Sequence, residues 1–174
     1  YEKYIQAANL EPIKLITHDG LIFPAELDRY DMDSALLLNS LAGYIALHDM
    51  DNIHGACKKN NMLLVNDVSG SIGLPEARLG DIIVGSFGKA KPVNLGTGGF
   101  IATDDEDIAR RIEDLDGFEE ADLNFILLHD RLKGLEARRK FLEDKVKKIK
   151  RDLMDDHQIV HPDQQGLNVV VRFR

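Results

Sequence analysis

The sequence predicts an α/β fold with a largely parallel sheet, and three observations carry that expectation. Short apolar runs recur at residues 35–39 (ALLLN), 62–65 (MLLV) and 81–85 (DIIVG). A stretch of helical period separates the first two. Within the runs apolar residues follow one another directly, whereas a strand with one wet face alternates apolar and polar. Strands buried on both faces and alternating with helices describe an α/β layer.

Taken in order, residues 1–10 predict a short helix, residues 13–16 a strand, and His18-Asp19-Gly20 a turn. The run at 35–39 is the first buried strand, and Gly43 breaks the chain after it. Residues 49–60 predict a helix with Met50, Ile53, Ala56 and Cys57 on one face. Buried strands follow at 62–65, ending on Asn66-Asp67, at 81–85, and at 99–103 (GFIAT). Thr103-Asp104-Asp105-Glu106 puts acids at a helix start, where the dipole favours them, and that helix runs through Ile108 and Ile112. From Leu123 the character changes. Leu127, Leu128, Leu132, Leu135, Phe141, Leu142 and Val146 keep helical spacing to about residue 155. Residues 158–161 and 167–173 (LNVVVRF) predict two strands, the beginning of a second, smaller domain.

A chain of 174 residues can bury one real core, and 44% hydrophobic with 30% charged residues is a globular composition. No apolar run approaches the roughly 20 residues that span a bilayer, so no membrane partner is expected. The opening YEKY carries no secretory signal, and the single cysteine, Cys57, suits a reducing compartment; the expected location is the cytoplasm. Cys57 itself reads as a small apolar filler on a helix. A net charge of -8 argues against nucleic acid. The basic residues between Lys133 and Arg151 are interleaved with acids, which is the pattern of a solvated helix face.

Chemistry concentrates in residues 62–103. Asp67 stands at the C-terminal end of a buried strand, the end where ligands bind in open α/β sheets. Ser69-Gly70-Ser71 is a small-residue turn that lets backbone approach a ligand. Ser86 ends the next strand, Lys89 and Lys91 follow, and a Gly96-Thr97-Gly98-Gly99 loop closes the segment. Pyridoxal 5'-phosphate (PLP) chemistry needs an amine for the aldehyde, a carboxylate for the pyridine nitrogen, and hydroxyl or N–H donors for the phosphate. Asp67, Ser86 and one of the two lysines supply these types in order. Acid, serine and lysine are common company, and spacing alone leaves the choice between the lysines open. The six histidines show no metal-ligand spacing; His157 and His161 are four apart, but the QIV between them reads as strand. No G-x-S-x-G elbow, P-loop or Rossmann glycine pattern is present.

The stretch resembles the lysine region of the DegT/StrS-type aminotransferases, known for aminating nucleotide-linked keto sugars. That family carries an E/D-D-x-A-x-A-x-G segment and later S-F-x-x-x-K, with a Gly-Gly pair seven residues beyond the lysine. Here Asn66-Asp67 and Gly73 match the first, Ser86-Phe87 and Lys91 the second, and Gly98-Gly99 stand at the expected distance. The upstream ALLLNSLAGYIALHDMDNI is similar to the family's strand, glycine loop and helix. Similarity covers residues 35–112, and more loosely 1–33 and 132–141.

The resemblance implies fold type I: a three-layer α/β/α large domain, partial here, over residues 1–121, then a long helix and the start of a smaller α+β domain over 122–174. It implies PLP as cofactor, Lys91 and not Lys89 as the Schiff-base lysine and proton-shuttling base, Asp67 as partner of the pyridinium nitrogen, and Ser86 as a phosphate donor. Ser69 and Gly70 occupy positions where the family tends to place alanine and then histidine or glutamine near the cofactor. The G-x-N-x-R-M segment, which sends an asparagine to the partner subunit's phosphate, has Asn124 as its nearest counterpart, and the interval from Asp67 to Lys91 is shorter than usual. A homodimer acting on a small amino donor and a keto acceptor follows from the family. So does the expectation of an incomplete enzyme, because the family's earlier glycine-rich phosphate turn would precede Tyr1. Two alternatives stand beside amino transfer: another fold type I reaction, such as a lyase or desulfurase, and a non-catalytic binding module that keeps the fold.

Overall fold

Apolar runs pair with one another and build the sheet here. The computed structural model describes residues 1–115 and 123–173. In chain order the elements are α1 (Glu2–Ala7), β1 (Ala35–Asn39), β2 (Leu41–Ala42), β3 (Ala46–Leu47), α2 (Met50–Lys59), β4 (Leu63–Asp67), β5 (Ile82–Ser86), β6 (Gly99–Ala102), α3 (Glu106–Glu113), α4 (Phe125–Lys133), α5 (Leu135–Leu153), β7 (Gln158–Ile159) and β8 (Val171–Arg172).

The main sheet has the order β1-β4-β5-β6. β1 and β4 pair in parallel with Asn39 opposite Asp67, and β4 and β5 pair in parallel with Asp67 opposite Val84. The carboxyl ends of three strands therefore share one edge. β6 runs antiparallel to β5, with Ser86 opposite Gly99. β1 and β4 carry the sheet's buried residues, whereas β5 is half-buried throughout and β6 ends exposed, short of the burial on both faces expected for them.

Helix α2 forms where its sequence offers both a cap and an apolar stripe. The Asp49 side chain accepts from the Asn52 N–H at its start, and Lys58 and Lys59 meet the dipole at its end. Met50, Ile53 and Cys57 face the sheet and form one cluster with Leu27, Leu36, Leu38, Met62 and Leu64. Each such side chain contributes about 1.5–3 kcal/mol on burial. Along β4 the alternation puts Leu64 and Asn66 on the α2 side, and Asp67 on the other. Asn66, fully buried, donates to the carbonyls of Glu76 (3.0 Å) and Leu79 (2.7 Å), so it ties down the turn that leads to β5.

Three expectations need correction. Residues 13–16 make no strand: Ile13 and Ile16 are exposed and no strand among the described residues pairs with them, while Leu15 packs on the cluster. The long helix is two, broken at Gly134, which caps α4 and starts α5. The last strand shrinks to Val171–Arg172, antiparallel to Gln158–Ile159, because the Leu167 and Asn168 N–H groups turn instead to the Tyr44 carbonyl. The boundary expected between residues 121 and 122 lies outside the described residues.

Helix α5 joins the rest through buried cations. Arg139 donates to the carbonyls of Gly70 (3.2 Å) and Ile72 (3.3 Å) and to Glu143 (3.4 Å). Lys150 donates to the carbonyls of His161 (2.6 Å) and Gln164 (2.8 Å). Burial pulls both cations below their ordinary pKa. Leu135 adds an apolar contact with Phe87 and Val93.

Candidate functional site

The carboxyl edge of the sheet carries the expected residues. Asp67 ends β4 and is buried. Its Oδ1 accepts from the Ser69 N–H at 2.9 Å, and its Oδ2 accepts from the Tyr1 hydroxyl. The carboxylate thus keeps one oxygen locked in a turn and offers the other to a donor on an aromatic ring. Burial, and then the bond to Asp67, push the Tyr1 phenol well above its ordinary 10, so it stays protonated and donates.

Ser69 turns inward. Its Oγ accepts from the Ser86 N–H at 2.9 Å, which couples the ends of β4 and β5. Ser86 Oγ in turn accepts from the Gly88 N–H at 3.1 Å, leaving its own proton free to donate. Ser71 and Ser40 share a buried hydroxyl contact of 2.6 Å, joining the same turn to β1. At Gly70 any side chain is excluded: a Cβ there would stand 2.7 Å from the Tyr44 ring.

Lys91 lies in the loop between β5 and β6. Ala90 before it has φ +65°, and Pro92 and Val93 after it are fully buried, so the backbone is pinned on both sides. The Lys91 carbonyl accepts from Arg138 at 3.4 Å. Its Nζ donates to the Tyr44 hydroxyl and stands 4.5 Å from the centre of that ring. Lys89 is exposed. Asp67, Ser69, Gly70, Ser86 and Lys91 are therefore connected, from Asp67 through Ser69 to Ser86, and from Gly70 through Tyr44 to Lys91. Asn124 caps α4, where its side chain accepts from the Leu127 N–H at 2.9 Å.

The sequence alone points to neither Tyr44 nor Tyr1 as a site residue. The readable signal for Tyr44 was a hydroxyl-bearing ring directly after Gly43, in the loop beyond a buried strand. For Tyr1 no local signal exists, since its partner is 66 residues away.

The model of the DegT/DnrJ/EryC1/StrS aminotransferase family matches residues 27–126. No curated protein matches the chain. Among solved structures, DesI in the presence of its TDP-sugar product is 22% identical with a TM-score of 0.70, over 99% of this chain and 51% of that one. PseC of Helicobacter pylori, an aminotransferase of pseudoaminic acid biosynthesis, is 17% identical with a TM-score of 0.72, over 98% and 55%. NtdA of Bacillus subtilis, with bound cofactor PMP, is 20% identical with a TM-score of 0.66, over 98% and 46%. The chain spans about half the length of the structures it matches. Their common fold is that of fold type I aminotransferases, and it is the fold seen here.

Proposed function

Since the chain belongs to the DegT/DnrJ/EryC1/StrS aminotransferase family, we propose that it carries the lysine and the carboxylate of a PLP-dependent amino transfer. One observation supports this above the others: a strand-end carboxylate is hydrogen-bonded to a serine-glycine turn, and a half-buried lysine amine is bonded to the tyrosine whose ring packs on the glycine of that turn.

The donor set fits the cofactor. When bound, PLP supplies an aldehyde to receive an amine and a protonated pyridine ring to withdraw electrons. Asp67, with one oxygen fixed by Ser69 and the other accepting from the Tyr1 phenol, would be the acceptor for the ring N–H. A carboxylate at that place would stabilise positive charge on that nitrogen. Lys91 would be the amine that receives the aldehyde, and its Nζ would serve as the base. Ser86 would offer its hydroxyl proton to the phosphate, and Ser69 and Gly70 would form the turn beside the cofactor. The whole protein, by this reading, is a cytoplasmic homodimer acting on a small amino donor and a keto acceptor. Residues 1–121 belong to the cofactor-binding domain, and 122–174 lead into the smaller one.

The test is spectroscopic. Purified protein mixed with PLP should develop an imine absorbance, and borohydride should fix the label on the peptide that contains Lys91. Lys91→Ala should abolish that label. A reducible imine that persists in Lys91→Ala, or a protein that never takes up PLP, would overturn the assignment.

A further inference from the structure

We infer that Tyr44 is the positioning residue for the amine of Lys91, an inference that rests on the proposed role of that lysine. The Tyr44 hydroxyl is the acceptor for Lys91 Nζ, and its ring lies against Gly70 in the turn that follows Asp67. The residue therefore bridges the two halves of the site.

Its backbone supports the same conclusion. Gly43 and Tyr44 have φ of +54° and +61°, and the Ile45 N–H closes the turn on the Ala42 carbonyl at 2.9 Å. Two successive left-handed residues in so tight a connection normally include glycine, asparagine or aspartate. A bulky residue in this region is uncommon and persists where its surroundings hold it. Here they do: the Tyr44 carbonyl accepts from both Leu167 N–H (2.7 Å) and Asn168 N–H (2.8 Å). The ring is only half-buried, so core packing does not account for the strain. What the ring gains is contact with Gly70 and Lys91.

A phenol suits this task. It accepts from an ammonium and donates to a neutral amine, so Lys91 keeps its partner in either protonation state. The Nζ is thereby aimed from a fixed point on the rim while it gains and loses protons.

The experiment uses the intact protein and compares wild type, Tyr44→Phe and Tyr44→Gly in two assays. The first follows borohydride-trapped PLP on the Lys91 peptide. The second follows acetylation of Lys91 relative to exposed Lys89 by N-acetoxysuccinimide, without cofactor. Tyr44→Phe keeps the ring on Gly70, and Tyr44→Gly relieves the backbone, so both should remain folded by circular dichroism. Losing the hydroxyl should slow PLP trapping about tenfold, the scale of one hydrogen bond to a charged group. It should also raise the acetylation ratio severalfold, since a released amine reacts more freely with an undirected reagent. A tenfold loss in both variants assigns the effect to the hydroxyl. Unchanged rates in Tyr44→Phe for both assays would overturn the inference and leave the PLP reading intact. If wild-type Lys91 traps no PLP, the PLP reading fails, and the acetylation ratio alone decides whether Tyr44 holds the amine.

Discussion

Asp67 stands at the end of a strand whose Leu64 is fully buried among Leu36, Leu38, Met50 and Ile53. Helix α5 reaches the same turn by other means, through a buried guanidinium on the carbonyls of Gly70 and Ile72. The first support is apolar and non-directional, so it depends on volume. The second is directional, so it depends on donor geometry. A turn braced from below by volume and from the side by hydrogen bonds has little freedom to shift the carboxylate it carries.

The comparison breaks most readily at Leu64. Leu64→Ala should cost about 4 kcal/mol, the transfer loss plus the cavity left beneath Asp67, measured by urea unfolding. A loss near 1 kcal/mol would mean that the cluster collapses around the gap and that volume is not the support.

Acidity offers a second probe of the first region. His48 is buried beside β3, and burial lowers its pKa from 6.5 to about 4. The folded state then binds fewer protons than the unfolded one between those values. Stability is fully present above pH 6.5 and falls as the pH drops toward 4, by up to about 3 kcal/mol. His48→Gln should flatten that slope in unfolding curves taken across the window; an unchanged slope would assign it to the carboxylates instead.

Arg139→Met tests the second region. The stem is kept, the two carbonyls lose their donor, and about 2 kcal/mol should be lost. A variant as stable as wild type would show that the ionic anchor fixes geometry without contributing stability. Smallest, and opposite in sign, is Gly134→Ala. Its φ is -88°, and a Cβ would meet only the Asp130 carbonyl at 3.6 Å. The substitution should raise stability by about 0.5 kcal/mol in the same assay, through the unfolded chain.

Much of this was legible in one dimension. β1, α2, β4 and β5 follow from apolar runs, from the Asp49 cap and from lysines at a helix end, because those signals act within a few residues. The candidate site was legible to the extent that Asp67 and Ser86 close apolar strands and that Lys91 keeps its distance from Ser86-Phe87. Residues 13–16 misled because an apolar, extended segment looks the same with or without a neighbour to pair with.

The sequence by itself determined which segments must leave water and which of their ends bear a carboxylate, a hydroxyl and an amine, since burial and capping are local properties. Only the tertiary structure decided that β6 runs antiparallel, that Arg139 closes on the Gly70 turn, and that Tyr44 sits in a left-handed turn with Lys91 on its hydroxyl. Each of these joins groups far apart in the chain, and a hydrogen bond leaves no mark on either partner until folding brings both together.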